Sequence, residues 1–298
     1  MEHVEGKVAF ITGAGGGIGL GMAKAFVKAG MKVAIADVQR DLLDQAMAGF
    51  GGSRDVHAIQ LNVTDREAMK RAADEVERVF GKVHVVCNNA GVIAIETGGD
   101  PTYEDFDWLM AVNAGGVING VQTFVPRIKK HGEGGHVVNT ASMNAFFVGP
   151  GSTVYVTSKF AVRGLTEALR YSLFEHNIGV TMLCPGVVKT GLGESYKTRP
   201  PELAKNSGFT QEGWAGVRAV TQSAGQDPVE VGEMVLKAIK NNEFYVFTAS
   251  GFRDEMRELC EDIVQALPEG EGDPRLADFE KGRRDFIARV KAHTGVAG

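Results

Sequence analysis

The sequence predicts an α/β fold in one domain, a doubly wound sheet of seven parallel strands followed by a helical C-terminal extension. Three observations carry this. Short apolar, β-branched runs alternate with longer stretches of helical period, a glycine cluster stands at the first strand-to-helix turn, and no repeat or low-complexity linker divides the chain. The strands are placed at 7–12, 31–36, 56–61, 83–87, 136–140, 180–184 and 244–248. Helices are expected at 19–29, 66–80, 103–125, 155–176 and 228–241. Parallel strands need crossover connections, so these helices cover both sheet faces, and the strands are apolar on both sides for that reason.

Two regions stand outside this alternation. Residues 190–227 mix Gly, Pro, Ser and scattered charges, and the stretch is too long for a simple connection, which suggests a substrate lid within a catalytic domain of residues 1–250. Beyond it, in 251–298, Phe252, Met256, Leu259, Ile263 and Leu267 recur at helical spacing, and Phe279, Phe286, Ile287 and Val290 mark a second helix. Both helices are expected to serve packing or subunit contact.

Composition narrows the partners. A chain of 298 residues with 44% hydrophobic content can bury a substantial core. The formal charge of -5 is spread through the sequence, leaving no basic stripe for a nucleic acid and no polybasic patch for anionic lipid. Cys87, Cys184 and Cys260 are far apart and form no CxxC pair, so all three are read as reduced core thiols. The histidines lack metal-ligand spacing, and no metal is expected. The first apolar run, Val8 to Ile11, is too short for a signal segment or a membrane span, so a cytoplasmic location is expected.

The first strand runs into Thr12-Gly13-Ala14-Gly15-Gly16-Gly17-Ile18-Gly19 and then an apolar helix. A turn without Cβ atoms lets backbone N–H groups approach a pyrophosphate, and the helix start adds its positive dipole end. Close packing alone could also explain such a turn. Asp37, at the end of the second strand and followed by Val38, can accept hydrogen bonds from adenosine ribose hydroxyls and repel a 2′-phosphate, which favours NAD over NADP. The alternative is a helix cap. Asn62 and Val63, after the third strand, are placed to reach an adenine.

The fourth strand ends in Asn88-Asn89-Ala90-Gly91, the fifth in Asn139-Thr140-Ala141-Ser142, and a helix then carries Tyr155-Val156-Thr157-Ser158-Lys159. Tyr155 and Lys159 are four apart and share a helix face, so the ammonium is expected to favour the phenolate. A free tyrosine titrates near about 10, too high for an efficient base at neutral pH without such help. Ser142 can donate to a substrate oxygen and hold the carbinol carbon for hydride transfer.

Taken in order, the TGxxxGxG turn, Asn88-Asn89-Ala90-Gly91, Asn113, Ser142, Tyr155 with Lys159, and the Pro185-Gly186 turn resemble the short-chain dehydrogenase/reductase family, over roughly Gly6 to Thr248. The resemblance implies a Rossmann-type sheet and a catalytic set of Asn113, Ser142, Tyr155 and Lys159. It also implies that Asn89, Ala90 and Gly91 join the cofactor site, that Lys159 holds the nicotinamide ribose, and that Asn113 fixes a water linking the lysine to solvent. After Pro185 and Gly186, the Val188 backbone and the Thr190 side chain would bind the carboxamide. A homodimer or homotetramer is implied too, because the family pairs its fourth and fifth helices between subunits.

Finer similarities are to the Cα-dehydrogenases of sphingomonad lignin catabolism. They lie in residues 103–108, 116–120 and 123–127, at Arg199-Pro200 and in the tail after Tyr245. Those enzymes oxidise the benzylic alcohol of β-aryl ether dimers with NAD. By position in the family, Ile93, Ser142, Asn144, Phe147, Tyr155 and Tyr196 would meet the substrate, amid Val92, Ala94, Ala145, Phe146, Val148 and Leu192. Such a largely apolar and aromatic set suits a bulky aromatic alcohol or ketone better than a free sugar or a phosphate. A hydroxysteroid or 3-oxoacyl dehydrogenase is the rival reading within catalysis. Outside it stands an NAD-sensing regulatory protein, which would be expected to lose Tyr155 or Lys159; both are present.

Overall fold

The computed structural model describes residues 1–95, 100–149, 151–270 and 273–293. Seven strands, β1 (Val8–Thr12), β2 (Lys32–Asp37), β3 (Val56–Gln60), β4 (Val85–Asn88), β5 (Gly135–Thr140), β6 (Ile178–Cys184) and β7 (Tyr245–Phe247), form one sheet in the order β3-β2-β1-β4-β5-β6-β7. Every pairing is parallel. Each strand lies within two residues of its expected bounds. The strand order reverses at β1, whose neighbours are β2 and β4, so a crevice opens at the carboxyl ends of β1 and β4.

The helices are α1 (Gly17–Lys28), α2 (Arg40–Gly49), α3 (Arg66–Phe80), α4 (Tyr103–Met110), α5 (Gly116–His131), α6 (Thr153–Leu173), α7 (Gln211–Ala224), α8 (Pro228–Asn241), α9 (Arg253–Gln265) and α10 (Ala277–His293). The continuous helix expected over 103–125 is corrected. It is α4 and α5 joined by a π-helical turn, Ala111–Gly115, and it runs on to His131. The adjacent Gly115 and Gly116 ease this widening, and such turns are frequent at functional positions. Two helices escaped the sequence reading. α2 buries only Leu43 and Ala46, and α7 is diluted by Gly213 and Gly216 inside the lid region.

Alternate residues of the strands feed two cores. On one face Val8 and Phe10 of β1 meet α3, α5 and α6, with Phe10 stacked on Phe124 at 4.5 Å between centroids. On the other, Ala9 and Ile11 meet Met22 and Phe26 of α1 and Val231, Val235 and Ile239 of α8. Cys87 and Cys184 are buried, where desolvation pushes their thiols up. Cys260 departs from expectation: it is exposed on α9, a helix that buries no residue. α10 docks by setting Phe286 against Tyr171 and Phe174, at 6.0 and 5.8 Å between centroids, and by burying Val290. Among the described residues no helix is long and apolar enough to cross a membrane.

Candidate active site

At the carboxyl end of the sheet lies a cavity of about 990 Å³. One end is built from backbone. Gly13 turns with φ +65°, and a Cβ there would lie 2.8 Å from the Cα of Ala90; one on Gly19 would lie 2.3 Å from the Gly13 carbonyl oxygen. The turn therefore folds back on itself so tightly that side chains are excluded. Asn89 braces it from below. Its amide donates to the carbonyls of Thr12 and Gly13, at 3.0 and 3.3 Å, while its oxygen accepts from Thr140 Oγ1. Thr12 Oγ1 in turn accepts from the N–H groups of Asn89 and Ala90.

Asp37 closes this end. Its Oδ2 accepts from Gly15 N at 3.1 Å and its Oδ1 from Gln39 N at 3.0 Å, so one carboxylate fixes the glycine turn and the start of the next loop. Burial raises its pKa, with the backbone donors pulling the other way. A carboxylate has lone pairs beyond these two bonds for ribose hydroxyls. Gly13, Gly16, Gly17, Ile18, Asp37, Val38, Asn62, Val63, Asn89, Ala90 and Gly91 all line the cavity. A side-chain-free cradle ending in a carboxylate fits a dinucleotide.

The middle of the cavity carries Ser142, Tyr155 and Lys159. Ser142 follows β5, Tyr155 and Lys159 lie on α6, and all three are buried. The Ser142 hydroxyl donates to Asn144 Oδ1 at 3.4 Å and accepts from Asn144 N at 3.1 Å, on the same cavity wall as the Tyr155 phenol. Lys159 Nζ donates to the Thr140 carbonyl at 3.1 Å and lies 5.6 Å from the centre of the Tyr155 ring. Burial lowers the lysine to about 8 and pushes the tyrosine up, the Ser142 hydroxyl offsetting part of that rise. The expected lowering of the phenol by the ammonium is not seen here; desolvation sets the direction of its shift.

Asn113 stands behind this wall, in the π-helical turn. It accepts from Val92 N at 2.8 Å and donates to Val92 O and Ser158 Oγ, both at 2.9 Å. The turn thereby fixes the segment after β4 against α6. Gly15 and Gly19 are likewise behind the surface. Pro185, Gly186, Val188 and Thr190 line the cavity beyond β6. There Lys189 N donates to Gln226 O and Gln226 N to Val187 O, at 2.9 Å each, closing the base of the 190–227 region.

The far end is made of side chains. Ile93 and Asn144 face it, as do Trp108, Val112, Leu203, Val217 and Phe252, which the sequence reading did not place there. Six expected residues are elsewhere: Ala94, Ala145 and Phe146 are buried off the cavity, and Val148 is exposed. Phe147 stacks on Phe252 at 5.4 Å, and Tyr196 packs on Trp214 with its hydroxyl donating to Glu194 Oε2; neither forms the cavity wall. Periodicity could have flagged Val217, one turn from Val220 and Thr221 on α7, had that helix been recognised. Nothing in the local sequence marks Phe252 as a wall residue.

Comparison with known proteins agrees with this geometry. Residues 7–200 match the short chain dehydrogenase family. The C alpha-dehydrogenase of Sphingobium sp. strain SYK-6 is 35% identical over 281 residues, covering 93% of this chain and 92% of that protein. LigO from the same strain, solved in its apo form, superposes with a TM-score of 0.76 at 39% identity and full coverage of both chains. A short chain dehydrogenase/reductase from Burkholderia phymatum, solved in complex with NAD, gives 0.84 at 32% identity over 92% of this chain and 100% of that one. Fold, site and sequence agree, and the chain belongs to the short-chain dehydrogenase family of oxidoreductases.

Proposed function

We propose that the protein oxidises a benzylic secondary alcohol of a lignin-type β-aryl ether dimer to the ketone, with NAD as hydride acceptor. The observation that carries this is the meeting, in one cavity, of a glycine cradle closed by Asp37 with the buried side chains of Ser142, Tyr155 and Lys159. Apolar and aromatic groups surround the remaining space, and the similarity to the C alpha-dehydrogenase supports this choice of substrate class. A homodimer or homotetramer working in the cytoplasm belongs to the same reading.

The glycine turn would hold the pyrophosphate, Asp37 the adenosine ribose, Asn62 and Val63 the adenine, Lys159 the nicotinamide ribose, and Val188 and Thr190 the carboxamide. Bound there, NAD supplies an electrophilic carbon for the hydride of the carbinol C–H. Ser142 donates to the substrate oxygen and holds that carbon in place. Tyr155 takes the hydroxyl proton as the C=O bond forms. The phenol's burial opposes this, so a charged Lys159 beside it is required to stabilise the phenolate as it develops. In reduction each transfer reverses.

Incubation with NAD and both α-epimers of a β-aryl ether dimer is expected to raise absorbance at the reduced-nicotinamide band. Tyr155→Phe is expected to lower kcat by about 100- to 10,000-fold while NADH binding, followed by fluorescence, stays within about threefold. Absence of turnover with either epimer, alongside turnover of rigid alicyclic alcohols, would shift the reading to a hydroxysteroid-type dehydrogenase. Near-normal turnover by Tyr155→Phe would remove the tyrosine from its role.

A further inference from the structure

Away from the reacting groups, the lid region and α4 share a buried ion pair. Arg199 Nη2 lies 2.7 Å from Asp105 Oδ1, with 5% and 0% of the two side chains exposed. Neither charge is left with idle polar atoms. Arg199 also donates through Nε to Leu203 O at 2.8 Å and through Nη1 to Ser207 Oγ at 2.8 Å. Asp105 accepts from Thr102 N and Gly208 N at 2.9 Å each, and from Ser207 Oγ at 2.9 Å. The guanidinium lies over the rings of Trp108 and Phe209, at 5.1 and 5.5 Å.

Both sides of this knot reach the cavity. Trp108, one turn along α4 from Asp105, lines it, and so do Pro200 and Leu203 from the lid. The carbonyl that Arg199 holds is that of Leu203 itself. α4 then continues into the π-helical turn that carries Asn113. The cradle and Asp37 lie at the other end of the cavity and share no hydrogen bond with the knot. Burying two charges is costly, and an apolar pair of similar size would pack as well or better, so fold stability alone is a weak reason for this arrangement. An arginine fork that joins three lid positions to one helix fixes direction as well as distance.

The geometry points to Arg199 and Asp105 as positioning residues, a latch that holds residues 199–209 against α4 and sets the shape of the substrate end of the cavity while leaving the cofactor end alone. The substrate side of this inference rests on the alcohol-dehydrogenase reading above; the latch itself does not. Arg199→Lys keeps a charge but loses the fork, and Asp105→Asn keeps the shape but loses the charge.

Both variants can be read without activity. Trypsin can cut the lid after Lys197 and Lys205, and cleavage there is expected to accelerate at least tenfold in each variant, with NADH affinity within twofold of wild type. For a two-ring β-aryl ether alcohol KM is expected to rise at least tenfold with kcat changed less than threefold, whereas KM for a one-ring benzylic alcohol moves less than threefold. Ser207→Ala, a milder change to the same knot, is expected to shift each readout the same way by a smaller factor. Unchanged proteolysis overturns the latch, and so does a parallel loss of NADH affinity or folding in all three variants, which would make the knot a general element of stability. If wild type turns over neither alcohol while the variants open the lid to trypsin, the latch stands and the substrate reading falls.

Discussion

The two ends of the cavity are built on opposite principles. At the cofactor end the glycine turn presents main chain, held by a handful of bonds: Asp37 on Gly15, and Asn89 on Thr12 and Gly13. There is no room for a Cβ on Gly13 or Gly19, and the strands beneath, β1 and β4, are buried along their whole length. At the other end the surface is side chain, drawn from α4, the 190–227 region with its α7, and Phe252 near the start of the extension, which come together only through tertiary packing. One end is specified by what the backbone forbids, the other by what distant segments happen to bring together. The lesson is that cofactor recognition tolerates almost no variation here, while the opposite wall can be rebuilt one side chain at a time.

The sharpest break of this contrast is a methyl group placed at each end. Gly19→Ala would set a Cβ 2.3 Å from Gly13 O and 2.8 Å from the Cα of Ala14, and a main-chain turn cannot retreat from it without opening the cradle. Overpacking of this kind costs about 1–3 kcal/mol or more, so NADH affinity is expected to fall about 10- to 100-fold by fluorescence titration. Gly216 lines the cavity from α7, and a Cβ on it would meet nothing within 4 Å. Gly216→Ala should leave NADH affinity untouched and stabilise the protein slightly, since alanine is the better helix former by about 1 kcal/mol. Equal losses in both variants would remove the distinction.

Lys159 stands at the seam, and its titration tests whether the seam is as dry as its burial implies. Its pKa falls from 10.5 to about 8 on folding, so the unfolded chain holds the proton more tightly than the native state does. Below pH 8 both states carry the charge and the full desolvation cost is present. Between about 8 and 10.5 the native state is neutral while the unfolded chain is still charged, and this group's contribution to stability rises with pH. Lys159→Met lacks that contribution. Its stability advantage over wild type at pH 7.5, measured by urea unfolding, is therefore expected to shrink by up to about 3 kcal/mol at pH 10.5. A difference that stays flat over that range would mean the ammonium is solvated in the native protein.

The same contrast explains what the sequence made legible. All seven strands, the glycine turn and the shared helix face of Tyr155 and Lys159 were readable because each obeys a local rule: a β-branched run, a turn that excludes Cβ atoms, a spacing of four on a helix; Asp37 was read from its place at a strand end, and Ser142 joined the set through the family resemblance. Asn113 was placed by family resemblance, and its position in a π-helical turn came only from structure. Phe147 and Tyr196 were assigned to the substrate wall by the same resemblance and lie off it, because their rings are taken up by Phe252 and Trp214. α7 hid behind its glycines. The helical period of the tail was visible, yet its consequences split: Phe252 and Met256 pack on the core, while Ile263 and Leu267 are 58% and 62% exposed. Periodicity marks the stripe without naming its neighbour.

Phe252 gives the gentlest probe of the substrate end. It is the residue before α9, it lines the cavity, and its ring stacks on Phe147 with 24° between planes. Phe252→Ala removes one wall of an apolar pocket that the lid and α7 still close from the other sides. An aromatic pair of this kind is worth about 0.5–1.5 kcal/mol beyond its buried area, so KM for a two-ring alcohol is expected to rise roughly 3- to 10-fold. Cofactor affinity should not move, because no bond links Phe252 to the cradle. Phe252→Leu, which restores most of the apolar volume without the stacking, should recover part of the loss. If Phe252→Ala instead weakens NADH binding as much as it weakens the alcohol, the two ends of the cavity are coupled through the extension, and the division between a backbone half and a side-chain half fails at its outermost residue.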